Sequence, residues 1–269
     1  MIAIEGAGAG DPILLLHGLG TNRHVWRRVV PLLAADRRVH TADLPGFGES
    51  APPGKGFDLA SAADALAAGL GGEIEGPFDL VGSSLGGAVA VTLAQRHADR
   101  VRRLVLCAPA GFTPRPSVIA EVAGHLGAGM MAFRRIAGSQ LTASETARRV
   151  LFWGAVAEPR HLSAADARTM LAASGEATRI AQALACVLAT DLRPAVASLR
   201  VPVGLLWGES DRVVSISTLR AIREMLPGSP TETIPGAGHI PQVECPEAFT
   251  RALRLVLDDL PAQISVTPR

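Results

Sequence analysis

Short runs of branched and aliphatic residues at 13–16, 39–42, 78–81 and 104–107 are separated by longer stretches with helical periodicity at 24–33, 59–70 and 85–97. Strands joined only through helix-length connections do not pair as hairpins. They lie parallel, and the connecting helices cross over the faces of the sheet. The alternation therefore predicts an α/β fold on a mostly parallel central sheet with helices on both faces. The same rhythm returns at 201–207, 216–225, 231–234 and 247–257.

Between these two stretches the strand-like runs vanish, and amphipathic helical segments such as 145–152 and 164–171 take over. Pro114 and Pro116 near the start of this region and Pro194 near its end are breaking signals where the chain leaves and rejoins the sheet. The expected organisation is a core of residues 1–112 and 195–269 interrupted by a helical cap at 113–194. A length of 269 residues suits one such catalytic body with an insertion.

Composition narrows the function. Apolar residues make up 48% of the chain and charged ones 19%, enough to bury a core and offset ordering entropy. A formal charge of +1 supplies no broad positive field for a phosphate backbone, so nucleic acid is not an expected partner. Residues 1–5 lack a basic leader region, and no apolar run approaches a membrane span, which points to a soluble cytoplasmic protein with no membrane partner. Cys107, Cys186 and Cys245 are odd in number, far apart and without metal-ligand spacing, so neither a disulfide framework nor a metal site is indicated. Cys107 sits in an apolar strand and reads as packing. Oligomeric state is not legible.

The chemistry is concentrated in Gly82-Ser83-Ser84-Leu85-Gly86-Gly87, placed between a strand and a helix, the context a nucleophile elbow requires. The register selects Ser84: choosing Ser83 would require glycine where Val81 stands. A serine hydroxyl is a weak nucleophile until a base takes its proton, and that base needs a carboxylate to hold its tautomer. In this architecture the chain order is serine, acid, histidine. Asp211 follows a strongly apolar strand, in the loop at its carboxyl end where open α/β sheets place their ligands. His239, in Gly236-Ala237-Gly238-His239-Ile240, is the only histidine downstream of it. Glu209 and Asp191 are weaker alternatives for the acid. The oxyanion needs two amide donors, expected from Leu85, after the nucleophile, and Leu19, in the His17-Gly18-Leu19-Gly20 turn after the first parallel strand. His17 precedes Ser84 in the chain and reads as a hydrogen-bonded structural histidine.

These segments, together with Asp43-Leu44-Pro45-Gly46-Phe47-Gly48-Glu49-Ser50 and Glu244-Cys245-Pro246-Glu247-Ala248-Phe249, resemble the α/β-hydrolase superfamily in its small, cofactor-free branch. The resemblance covers nearly everything outside the cap. The opening from His17 is similar to enol-lactone hydrolases and carboxylesterases, and the overall layout also resembles hydrolases of meta-cleavage products. Carbon-carbon hydrolases commonly carry tryptophan after the catalytic histidine, where this chain has Ile240, and dehalogenases and epoxide hydrolases carry aspartate where it has Ser84. The resemblance implies a serine hydrolase of esters, lactones or related acyl bonds acting without metal or organic cofactor. Carbon-carbon hydrolysis, acyl transfer to another acceptor, or ligand binding with little turnover are the alternatives.

Substrate identity rests on the cap. Met130, Met131, Phe133, Phe152 and Trp153 can either line an apolar pocket or pack a core, and the pairs Arg134-Arg135 and Arg148-Arg149 can hold a substrate carboxylate or face solvent. The expected partner is a partly apolar small molecule.

Overall fold

The computed structural model describes residues 1–138, 140–158, 162–173 and 179–261. Parts of the predicted cap, at 139, 159–161 and 174–178, and the last stretch of the predicted core, 262–269, lie outside the described residues.

The strands are β1 (Ile4–Ala7), β2 (Asp11–Leu16), β3 (Arg37–Ala42), β4 (Phe78–Ser83), β5 (Val101–Cys107), β6 (Val203–Gly208) and β7 (Thr231–Ile234). They form one seven-stranded sheet in the order β1-β3-β2-β4-β5-β6-β7. Every neighbouring pair from β3 to β7 is parallel, and only β1 joins its neighbour antiparallel. The mostly parallel sheet read from the alternation is the one found.

Both faces are covered, which is why β2, β5 and β6 carry unbroken apolar runs, at 13–16, 104–107 and 203–207, instead of alternating with polar residues. Along β2, Leu14 and Leu16 enter one core with α2 (Leu59–Gly69) and α3 (Leu85–Arg96). Ile13 and Leu15 point the other way, into a core with α11 (Pro246–Asp259). Trp207 anchors the first core and Trp26 and Phe249 the second, all three fully buried.

The expected helix at 24–33 is instead a short 3-10 turn, Arg23–Trp26, followed by a one-turn helix α1 (Val30–Leu33). Pro31 explains the break: it has no amide to donate, and its ring collides with the carbonyl four residues earlier, at Arg27, in any continuous helix.

Between β5 and β6 the described residues contain helices and no sheet strand: α4 (Ser117–Gly138), α5 (Glu145–Leu151), α6 (Ala164–Ala173), α7 (Ile180–Ala189) and α8 (Arg193–Ala197). This segment is tied to the sheet body by Arg27, which donates to Asp166 at 2.5 Å and pairs with Thr169. The remaining helices are α9 (Ile216–Met225) and the short α10 (Pro241–Glu244). No helix among the described residues is long and apolar enough to cross a membrane.

Candidate active site

Ser84 stands between the last residue of β4 and the first of α3, with φ 54° and ψ −114°. A side chain in this conformation is strained, and the surrounding packing has to hold it. The glycines explain how. A Cβ on Gly82 would lie 2.7 Å from the Gly87 Cα, and one on Gly86 would lie 2.5 Å from the carbonyl oxygens of both Leu16 and His17. Strand, turn and helix thus meet backbone to backbone, and the serine is pushed out at the carboxyl end of the sheet. Ser83 is buried, and its hydroxyl accepts from Gln242 Nε2 at 3.4 Å.

Asp211 and His239 arrive from the loops after β6 and β7. His239 Nδ1 lies 2.8 Å from Asp211 Oδ2, and both side chains are buried. The other carboxylate oxygen, Oδ1, accepts from the backbone amides of Val213 at 2.8 Å and Val214 at 2.9 Å, so the acid is held in one orientation. A carboxylate accepts only, so the imidazole proton belongs on Nδ1 and the lone pair on Nε2. Of the other acids considered, Glu209 accepts from the Thr233 hydroxyl at an exposed position, and Asp191 pairs with Arg193. Neither is brought to His239.

The His239 loop has a support that the sequence reading did not identify. Glu244 is buried and accepts from the Gly238 amide at 2.9 Å through one oxygen and from the Ala157 amide at 2.8 Å through the other. His239 itself donates its amide to the Ala155 carbonyl at 2.9 Å. The loop is thereby clamped to residues 155–157. Burial pushes the Glu244 carboxyl pKa upward, and the amides donated to it oppose that shift. Only the acid's position after the histidine, in Ile240-Pro241-Gln242-Val243-Glu244, hinted at such a role.

His17 is fully buried, with Nδ1 2.8 Å from the Gly18 carbonyl and Nε2 accepting the Leu44 amide at 2.9 Å. Both nitrogens are committed to backbone, and burial lowers the pKa to about 4, so the ring is neutral and ties the loop after β2 to the loop after β3. Cys107 is buried as well, and burial pushes its thiol up to about 12, which makes it unreactive.

Ser84 and His239 line a single cavity of about 460 Å³, together with Leu19 and Leu85. Leu85 is the first residue of α3, where backbone amides have no partner inside the helix and the helix dipole presents its positive end. The far wall comes from the helices between β5 and β6. Of the five apolar residues that could either line a pocket or pack a core, Met131, Phe152 and Trp153 line it, joined by Met170, Leu184 and Val187, whereas Met130 and Phe133 are exposed. Arg134 also faces this cavity, while Arg135 and Arg149 are exposed.

The described architecture matches known proteins along nearly its whole length. Residues 11–246 match the family model of the alpha/beta hydrolase fold. The chain is 31% identical to a Chromobacterium violaceum protein named pimeloyl-(acyl-carrier protein) methyl ester esterase, over 93% of this chain and 95% of that one. It is 33% identical to a protein of the same name from Neisseria meningitidis serogroup B, covering 90% and 91% of the two chains. Among solved structures, a thermophilic esterase from Thermogutta terrifontis superposes with a TM-score of 0.76 at 29% identity, over 96% of this chain and 93% of that one. On a match that spans β2 to β7, the Ser84 turn and the His239 loop, this chain belongs to the α/β hydrolase fold family.

Proposed function

We propose that this protein is a serine hydrolase that cleaves a small-molecule carboxylic ester or lactone through an acyl-enzyme on Ser84. The observation that carries the proposal is the presence of Ser84, at φ 54°, in the same cavity as His239, whose Nδ1 is held 2.8 Å from Asp211. Two relatives more than 30% identical over most of their length, both named as methyl ester esterases, support an ester as the bond cleaved.

In this reading His239 Nε2 takes the Ser84 proton as Oγ attacks the substrate carbonyl carbon. The tetrahedral oxyanion is held by the amides of Leu85 and Leu19. Asp211 stabilises the imidazolium, which passes its proton to the departing alkoxide as the carbon-oxygen bond breaks. Water then enters, His239 removes its proton, and collapse of the second tetrahedral intermediate returns the proton to Ser84. Every proton and electron pair comes from the chain, the substrate or water.

Residues 113–194 serve as a cap over the cavity, with apolar side chains such as Met131, Phe152 and Leu184 selecting a partly apolar substrate. The three unpaired cysteines fit a reducing, cytoplasmic setting.

The test is hydrolysis of short and medium p-nitrophenyl esters by wild type, Ser84→Ala and Ser83→Ala, each checked for folding by circular dichroism. Turnover by wild type and Ser83→Ala, with a folded but inactive Ser84→Ala, is the expected result. Equal activity in all three would remove Ser84 from the mechanism.

A further inference from the structure

Arg134 is the one permanently charged side chain among the described residues lining the Ser84 cavity. Its position follows from α4. Met131, one turn earlier on the same face, presses its sulfur so close to Gly20 that a Cβ there would lie 2.9 Å from it. The helix therefore lies across the loop that carries Leu19, and Arg134 comes next along that face. Its guanidinium stacks over Phe152, with Cζ 5.4 Å from the ring centroid.

What sets Arg134 apart is the partner it does not have. Other sheltered arginines of this chain meet acids or backbone carbonyls: Arg23 contacts Glu5, Asp43 and Glu49, Arg102 and Arg103 both hold Asp79, and Arg100, Arg148 and Arg179 donate to the carbonyls of Ile74, Thr142 and Gly54. Among the described residues, no carboxylate lies within ion-pair distance of Arg134. Among the described residues, no aspartate or glutamate contributes to the cavity wall. Burial disfavours the charge and pulls its pKa below the usual arginine value, with no acid to offset the shift. The group stays cationic at neutral pH, because arginine begins so far above it. A cation in an apolar wall is costly until an anion joins it, and a guanidinium presents its donors in a fork that fits a carboxylate.

We infer that Arg134 is a specificity-determining residue that holds a carboxylate at the far end of the substrate, so that the preferred esters carry a free acid group in addition to the bond attacked by Ser84. This rests on the serine-hydrolase reading and narrows it to a substrate class, the monoesters of dicarboxylic acids and their close analogues. The apolar stretch of wall between the two ends then takes the connecting methylene chain.

The experiment compares mono-p-nitrophenyl esters of straight-chain dicarboxylic acids, from succinic to suberic, with neutral p-nitrophenyl esters of matching chain length. The readout is the ratio of kcat/KM for the acid-bearing ester to that for the neutral one. In wild type the ratio is expected to peak well above one at the chain length that spans the cavity. Arg134→Met, of similar reach and without charge, is expected to lower that ratio about 10-fold to 100-fold, mainly through KM, as suits the loss of one charge-assisted contact. The free dicarboxylate should inhibit wild type competitively and the variant much more weakly. Arg135→Gln, on the exposed face, is expected to keep the wild-type ratio, and Arg134→Lys to restore part of it. A wild-type ratio at or below one for every chain length, or one that Arg134→Met leaves in place, would overturn the assignment and return Arg134 to a packing role on Phe152. Neutral esters report on Ser84 independently: if they are hydrolysed in a Ser84-dependent way without acid preference, only the substrate class falls. If Ser84→Ala remains active, the serine-hydrolase reading itself falls.

Discussion

A Cβ on Gly86 would lie 2.5 Å from the carbonyl oxygen of His17, so the first turn of α3 and the loop after β2 are in backbone contact. The same contact fixes the spacing between the amides of Leu19 and Leu85, which belong to those two segments. Gly86→Ala must push them apart, at a cost of about 1–3 kcal/mol as for other overpacking changes. Urea denaturation should show that loss, and kcat for a p-nitrophenyl ester should fall with it. A variant that loses stability but keeps kcat would mean that the two segments separate without moving the donors.

Asp211→Asn probes the tautomer. The side-chain oxygen can still accept the amides of Val213 and Val214, which turns the new NH2 group toward His239 Nδ1. The imidazole must then accept at Nδ1 and carry its proton on Nε2, where it cannot take one from Ser84. The expected variant folds normally, and its kcat drops by about 10⁴-fold, the scale set by the same exchange in serine proteases. A change of less than about 10-fold would show that Asp211 does not set the tautomer.

The parts of the fold legible in the sequence are those where local pattern and tertiary role agree. The runs of β2, β4, β5 and β6 are apolar because both sheet faces are covered, and the glycines around Ser84 mark the close backbone contacts found there. The antiparallel β1 was not anticipated: its residues, Ile-Glu-Gly-Ala, are half exposed at the sheet edge and carry no apolar run. The long α4 lies inside the expected helical region, but its bounds were not legible, for a different reason. Val118, Val122, Leu126 and Phe133 form an apolar stripe that is exposed while Met131, on another face, lines the cavity, so the helix is not apolar on its packed side alone, and four glycines lower its helix propensity. Ser84, Asp211 and His239 could be proposed because each follows a recognisable strand. Glu244 clamps the His239 loop through contacts that exist only once distant segments meet, and for the Arg134-Arg135 pair the sequence could not say which arginine faces the cavity, because spacing along the chain does not encode such contacts.

Asp79 illustrates such a contact. It is fully buried on β4, and Arg37 from β3 and Arg102 and Arg103 from β5 converge on it at 2.6–2.9 Å. Hydrogen bonds and charge from Arg103 and Arg102 outweigh burial and hold the carboxyl below its ordinary pKa. Asp79→Ala leaves several cations without their shared anion, and breaking a buried pair in this way costs about 3–5 kcal/mol. Because the residue lies at the opposite end of β4 from Ser84, the loss should appear in urea denaturation, while kcat of the folded fraction stays near wild type. A parallel fall in kcat would mean that strand register near Ser84 depends on the cluster.

Acid should weaken the protein through His17 before carboxylates titrate. Burial lowers its pKa from 6.5 to about 4, so between these values the unfolded chain binds a proton that the folded one refuses. Stability then rises with pH across that window: His17's contribution is fully present above 6.5 and is lost as pH falls toward 4. The scale across the whole window is roughly 3 kcal/mol. Buried His40, also shifted down by desolvation, adds in the same direction, and Glu244, shifted up, works against it. Protonating His17 Nε2 removes the acceptor of the Leu44 amide, so the loops after β2 and β3 should separate first. Urea denaturation of wild type between about pH 7 and pH 4.5 should show the decline. His17→Asn, with no proton to bind, should be less stable at neutral pH but decline less steeply. Parallel slopes for the two proteins would instead place the acid sensitivity on His40 or elsewhere.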